Sequence, residues 1–246
     1  MQAPRDIDEW ARDKQVEEKR PEIRIKSARI PAEYLTVDWD DYDAACGIAA
    51  VDGCPAESLK DILLDYVERW EEVKPQGLVL LGAPGYGKTM GAAMLARDLC
   101  LSGVWVKFVT NTDLLERRKN LIHLEKEAER TDDFTAYNPA EYQLRFIESD
   151  CDLLVLDDVG KEYRAKSGYA DAGLDMLLRR RQLARKATII TSNLSMSDWD
   201  TYNTSMASFL HDVGEVLDLT DGFDHRASKS RSSRMRRQDH AGRGSR

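Results

Sequence analysis

Short apolar runs along this chain alternate with longer stretches in which apolar residues recur at helical spacing. Leu78-Val-Leu-Leu81, Val104-Trp-Val-Lys-Phe-Val-Thr110, Leu153-Leu-Val-Leu156, Thr188-Ile-Ile-Thr191 and Val216 to Leu219 are too short for stable helices and read as five strands. Between them, Leu59, Ile62, Leu63, Tyr66, Val67 and Trp70 mark one face of a helix over 59–72, with Ser58 as its N-cap. Further helices are predicted over 90–101, from Leu114 to about Arg130 with Asn111, Thr112 and Asp113 as candidate caps, over 141–149, and over 172–185. Residues 38–43 interleave acids with Trp39 and Tyr42 and read as a surface turn, and 131–139 reads as a loop.

The ends of the chain differ from its middle. Residues 1–27 are mostly charged, with Ile7, Trp10 and Val16 the large apolar side chains before Pro21. Asp6 or Asp8 could cap a short helix running to about Lys19. Residues 227–246 carry seven Lys/Arg against one Asp, a net +6 in a chain whose total is −8, so residues 1–226 sum to −14. That Ser/Arg/Gly-rich tail has the composition of a disordered segment, and the acidic body argues against a broad basic nucleic-acid surface.

The stretch Gly82-Ala-Pro-Gly-Tyr-Gly-Lys-Thr89 lies between the first strand and the helix that opens at Met90, and it fits G-x-x-x-x-G-K-[ST]. Gly82, Gly85 and Gly87 let the backbone curl around phosphates, and the helix N-terminus adds about half a positive charge. In such a loop Lys88 reaches the β- and γ-phosphates of a bound nucleotide and the Thr89 hydroxyl holds Mg²⁺, with Tyr86 and Met90 beside them. ATP and Mg²⁺ are therefore the expected cofactors. Asp157 and Asp158 end a strand about seventy residues later, where a pair of carboxylates is costly without a cation. Asp157 is expected in the metal shell, and Asp158 is expected to orient or deprotonate the attacking water. Asn193, after the fourth strand, could touch the γ-phosphate or that water.

Cys46, Cys54, Cys100 and Cys151 show no C-x-x-C pairing, and the four histidines are scattered, which disfavours zinc and a disulfide framework. No apolar run approaches the ~20 residues of a membrane span, so a cytoplasmic protein with no membrane contact is expected. Arg117, Arg118 and Lys119 form a basic cluster on a helix that continues with Glu125, Glu127 and Glu129. It reads as a solvated face, and it is also the first place in the body to look for a DNA contact.

The order of these pieces resembles the AAA+ ATPases of the DnaC/DnaI-like replicative helicase loader type, together with the related IstB-like ATPases. The residues that carry the resemblance are Ile30-Pro31 with Tyr34, Gly82 to Thr89, Leu153 to Gly160, Arg181, Thr188 to Leu194, and the G-x-D-x-R of Gly222 to Arg226. The resemblance implies an α/β P-loop fold with a five-stranded parallel sheet flanked by helices, covering 28–226 between a short helical extension (1–27) and the basic tail. It implies Lys88 and Thr89 as the Walker A pair, Asp157 and Asp158 as the Walker B pair, Asn193 as sensor 1, and Arg226 on phosphate.

As partners it implies a DnaB-like replicative helicase in a bacterial cell, gripped by the N-terminal segment, with single-stranded DNA, and self-assembly with ATP between subunits. The zinc-binding cysteines of some loaders have no counterpart in the extension, and 205–212, where relatives place an arginine finger, reads SMASFLHD. Two other functions compete with a loader: a transposition ATPase acting with a transposase on duplex DNA, and a nucleotide-gated adaptor with little hydrolysis.

Overall fold

The structure is a computed structural model, and it describes residues 20–42, 50–51, 54–160 and 168–220. A helix over 20–28 (α1) and one helical turn at Trp39–Tyr42 (α2) precede a short hairpin of β1 (Ala50–Val51) and β2 (Cys54–Ser58). Then follow α3 (Leu59–Glu68), α4 (Trp70–Val73), β3 (Gly77–Leu81), α5 (Lys88–Leu101), β4 (Val106–Thr110), α6 (Asn111–Thr131) and α7 (Tyr137–Arg145). A π turn (Phe146–Asp150) leads to β5 (Leu153–Val159), α8 (Gly168–Leu183), β6 (Ala187–Ser192), α9 (Met196–Val213) and β7 (Gly214–Thr220).

The seven strands lie in the order β2-β1-β7-β3-β6-β5-β4. The five from β7 to β4 are parallel, as expected, with β3 between β7 and β6. The hairpin extends the sheet antiparallel to β7. It escaped the sequence reading because Ala50-Val51 is too short, and Cys54-Pro-Ala-Glu-Ser58 too poor in apolar residues, to show a period of two.

A parallel strand covered by helices on both faces is apolar throughout, and its alternate side chains feed two separate cores. Leu78 and Leu80 of β3, with Leu153 and Val155 of β5, pack beneath α3 and α5 through Leu59, Leu63, Met94 and Leu95. Val79, Leu81, Leu154 and Leu156 face the other way, onto Leu174, Leu177 and Leu178 of α8 and Trp199 and Leu210 of α9. The result is three layers, with the carboxyl ends of the five parallel strands on one side. Among the described residues no helix is long and apolar enough to cross a membrane.

Several elements depart from the expectations. Ser58 caps α3 through a capping box with Asp61, but the helix breaks at Arg69 and resumes as the single turn of α4. The cap of α6 is Thr110, whose hydroxyl accepts from the Asp113 N–H at 3.1 Å, so Asn111 and Thr112 lie inside the helix. Residues 38–42, the described part of the expected surface turn, are more than a turn. Tyr42 is fully buried and Trp39 Nε1 donates to Asp98 Oδ2 at 2.8 Å, while Asp38, Asp40 and Asp41 face water. α7 starts at Tyr137, earlier than expected, because Pro139 sits in its first turn, where a missing N–H costs nothing.

The α9 helix was not among the expected elements, although Trp199, Tyr202, Met206, Phe209, Leu210 and Val213 recur at helical spacing. It rests on a Ser195–Asp198 capping box and on Trp199, Ala207, Phe209 and Leu210. The described part of the expected extension is not detached from the body. In α1, Ala28 is fully buried, Arg24 Nε donates to Cys100 O at 2.9 Å, and Lys107 donates to Ser27 O.

Candidate functional site

The loop from Gly82 to Gly87 joins the carboxyl end of β3 to the N-terminus of α5. Gly82, Gly85 and Gly87 have φ of 139°, 93° and 81°, a region closed to most L side chains, so the chain can turn here only with glycine. Gly87 is also the N-cap of α5. It has no side chain to cap the helix, and the first turn carries no acidic residue. The first N–H groups of α5 therefore offer an anion both donors and dipole. Lys88 is buried, and its Nζ donates to Gly82 O at 2.7 Å and Ala83 O at 2.8 Å, which holds the ammonium within the loop. Thr89 follows in the first turn of α5, and Tyr86 and Met90 pack against the α3/α5 core.

A chain of polar contacts ties this loop to the neighbouring strand ends. Thr89 Oγ1 donates to Asp157 Oδ1 at 2.8 Å, and Thr191 Oγ1 donates to the same oxygen at 2.6 Å. The Asp158 N–H donates to Thr191 Oγ1 at 2.9 Å, and Asn193 Nδ2 donates to Asp158 Oδ1 at 3.0 Å. Burial pushes the Asp157 carboxyl above the usual carboxylate range, against the two hydroxyl donors that favour its ionised form. The adjacent negative charge of Asp158 adds to the rise, and the Lys88 ammonium opposes it. Hydroxyl and carboxylate oxygens are the donors a hard divalent cation such as Mg²⁺ prefers, so Thr89 and Asp157 could hold one.

The two carboxylates are separated by more than strand alternation. Asp158 has φ of 60°, a left-handed conformation uncommon outside glycine, and the pairing of β5 with β6 shifts register between Leu156 and Val159. This bulge leaves Asp157 buried beside Thr89 and hands Asp158 to Asn193. Such backbone outliers persist only where surrounding bonds fix them, and the Thr191 hydroxyl supplies one.

The structure thus brings Lys88, Thr89, Asp157, Asp158 and Asn193 around one loop. Arg226 lies outside the described residues. Two site residues went unread in the sequence. Thr191 was visible as a hydroxyl at the end of an apolar strand, but its two partners were not. Tyr42 gave no signal, because its bond from Oη to Gly87 O, 3.4 Å long, spans 45 positions.

One basic expectation changes, and one arginine of the resemblance proves structural. Arg118 is not on a solvated face: it is buried, donating to Glu148 Oε1 at 2.6 Å and to Gly173 O at 2.7 Å. Arg181 is fully buried, and its guanidinium braces the start of β6 and the turn before β5 through Thr188 Oγ1, Ala187 O and Cys151 O.

A glycine loop between a central parallel strand and a helix, faced by two carboxylates on a nearby strand end, defines a P-loop nucleotide-binding protein. Comparison with known proteins refines that class. The family model of the IstB-like ATP binding protein matches residues 13–213, and the chain belongs to that family. The replicative helicase loader DnaC of Escherichia coli (strain K12) is 27% identical over 133 residues, which are 54% of this chain and 48% of that protein. The chain thus spans about half the length of the curated relatives it matches. Among solved structures, DnaI superposes with a TM-score of 0.56 at 20% identity, over 82% of this chain and 99% of that one. The DnaC helicase loader superposes with a TM-score of 0.50 at 22% identity, over 66% and 88% of the two chains. At these identities the structural matches speak to the fold.

Proposed function

We propose that this protein is an ATPase that loads a replicative hexameric helicase onto single-stranded DNA. The observation that carries the reading is the hydrogen-bonded relay Thr89–Asp157–Thr191–Asp158–Asn193, which links the phosphate loop to the strand ends. Lys88 leaves its two carbonyl partners for the β- and γ-phosphates, while Gly82, Gly85, Tyr86, Gly87 and Met90 form the cradle. Thr89 and Asp157 hold Mg²⁺, which when bound neutralises phosphate charge. Asp158 positions the attacking water, and Asn193 keeps Asp158 oriented and reads the γ-phosphate. Arg226 contacts phosphate in its own subunit. The segment 1–27, with Ile7, Trp10 and Val16, grips the helicase. Subunits assemble with ATP at their interfaces in the cytoplasm of a bacterial cell, and the kinship with DnaC, a replicative helicase loader, supports this choice of partner.

A second reading is a transposition ATPase working with a transposase on duplex DNA, and the IstB-like family membership is what favours it. The acidic body weighs against it, because a duplex binder neutralises many phosphates.

Affinity capture from host lysate with ATP and Mg²⁺ tests the choice, using Lys88→Ala as the control. The variant loses hydrogen bonds to charged oxygens worth about 1.5–3 kcal/mol each, so ATP affinity should fall at least about tenfold. Recovery of a replicative helicase by the wild type but not by Lys88→Ala is expected. Recovery of a transposase instead would overturn the loader reading, and unchanged ATP affinity in the variant would overturn the site.

A further inference from the structure

The nucleotide loop lies at the carboxyl end of β3, but a second cleft opens on β4, the outer strand at the other side of the sheet. It has a volume of about 610 Å³ and lies between α1, β4, α6 and α7 with its π turn, and no residue of the 82–90 loop lines it. Cavities of this size hold small organic ligands. Lys26, Arg29, Lys107 and Arg117 line it and no carboxylate does, in a chain with 44 acidic residues against 36 Lys/Arg. Asp113 and Glu116 share a separate hollow on α6 with Arg117, and among the described residues none of the four cations forms an ion pair. Lys107 Nζ donates to Ser27 O and, at 3.3 Å, to Ser27 Oγ, while Arg117 Nε is buried without a hydrogen-bond partner. A buried donor is costly until an acceptor reaches it. Burial, and then the nearby Arg29 and Arg117 charges, hold the Lys107 ammonium below its ordinary pKa, as expected for cations gathered without a counter-charge.

The walls decide what kind of anion fits. Phe146 carries Lys107 Nζ 5.3 Å from its ring centre, and Tyr142 carries the Arg145 guanidinium at 5.7 Å, so both rings already have a cation against them. Trp105 is 40% exposed and meets Phe146 edge to face at 6.1 Å. With Ile23 and Ile147 it gives the cleft an apolar side. A single carboxylate would leave most of the positive charge unmatched. A phosphate monoester brings close to two negative charges and three acceptor oxygens, which guanidinium forks and an ammonium can meet together. Inorganic phosphate would leave Trp105 unused, whereas a flat organic ring packs against an indole stacked or edge-on.

We infer that the cleft on β4 is a binding site for a small aromatic phosphate, its phosphate held by Arg29, Lys107 and Arg117 and its ring packed against Trp105. Lys26 adds charge at the same cleft. The inference is independent of the loader reading, because it concerns a free small molecule in a cavity that none of the residues assigned to ATP lines.

Pyridoxal 5′-phosphate is the probe: a flat ring that carries a phosphate and an aldehyde. The neutral Lys107 amine adds through its nitrogen lone pair to the aldehyde carbon, and the oxygen leaves as water. Borohydride then delivers hydride to the imine carbon and water a proton to the nitrogen, leaving a stable secondary amine that peptide mass spectrometry maps. On the full chain, Lys107 should label at about tenfold lower concentration of this probe than of pyridoxal, which lacks the phosphate. Phenyl phosphate should protect it. Arg117→Gln should raise the probe concentration needed by about tenfold, the loss of one charge-assisted hydrogen bond, and Trp105→Leu should raise it as well.

Lys88→Ala should leave the labelling of Lys107 unchanged, which separates the cleft from the nucleotide loop. ATP-analogue binding by Arg117→Gln and Trp105→Leu should match the wild type, which reports folding. Equal labelling by pyridoxal, or wild-type labelling in both cleft variants, would overturn the assignment and leave Lys107 a reactive amine and no more. Protection by oligo(dT) or by polyglutamate stronger than by phenyl phosphate at equal charge concentration would also overturn it, in favour of a surface for a polymer.

Discussion

Thr191→Val removes one hydroxyl and keeps the β-branched shape that the end of β6 requires. That hydroxyl donates to Asp157 Oδ1 at 2.6 Å and accepts from the Asp158 N–H at 2.9 Å. A hydrogen bond to a charged acceptor is worth about 1.5–3 kcal/mol, and one to a backbone amide about 1 kcal/mol. The added methyl returns up to about 0.8 kcal/mol, and Thr89 still donates to Asp157. The net loss near neutral pH is then about 2.5 kcal/mol, a fall in Tm of about 5–10 °C for a domain of this size.

The pH dependence has a definite sign. Thr191 stabilises the ionised Asp157 carboxylate. The deficit of the variant should therefore be full where Asp157 is ionised and shrink as pH falls through its raised pKa. Thermal unfolding of wild type, Thr191→Val and Thr191→Ser across pH checks this, with serine keeping most of the lost stability. A Thr191→Val protein that melts within about 2 °C of wild type near neutral pH, or whose deficit is the same in acid, would refute the role assigned to the hydroxyl.

Two further outcomes follow from the same geometry. Asp157→Asn should raise the Tm of the nucleotide-free protein: a carboxyl whose folded pKa lies above its unfolded value costs stability once pH exceeds both, and the gain should vanish at low pH. The same substitution should weaken Mg²⁺-dependent nucleotide binding, whereas Asp158→Asn should keep binding and stop hydrolysis; identical effects in a binding and a turnover assay would contradict the separation. Gly91→Ala would place its Cβ 2.6 Å from Leu63 Cδ1 and 2.7 Å from Tyr42 Oη. The overpacking cost of about 1–3 kcal/mol exceeds the helix-propensity gain of about 1 kcal/mol, so denaturant unfolding should show a loss that Tyr42→Phe partly restores.

Much of this protein was determined by local sequence. Five apolar runs became the five parallel strands because a strand covered on both faces must be apolar throughout. The glycine loop and its lysine could be read directly, because the left-handed φ values at Gly82, Gly85 and Gly87 are conditions glycine meets at the backbone itself. The adjacent acids at 157 and 158 were legible as a pair.

Only the tertiary structure decided what the pair does separately. The bulge in β5 and the left-handed Asp158 depend on the register with β6, and the hydroxyl of Thr191 reaches them across 34 positions of chain. Tyr42 under the loop, Arg118 paired with Glu148 and the basic cleft on β4 arise the same way, from residues distant in sequence. Periodicity and motif spacing report which face of an element is buried and which backbone conformations are required. Which polar groups meet across elements is set by packing, and a charged residue such as Arg118 looks the same in sequence whether it faces water or a buried glutamate.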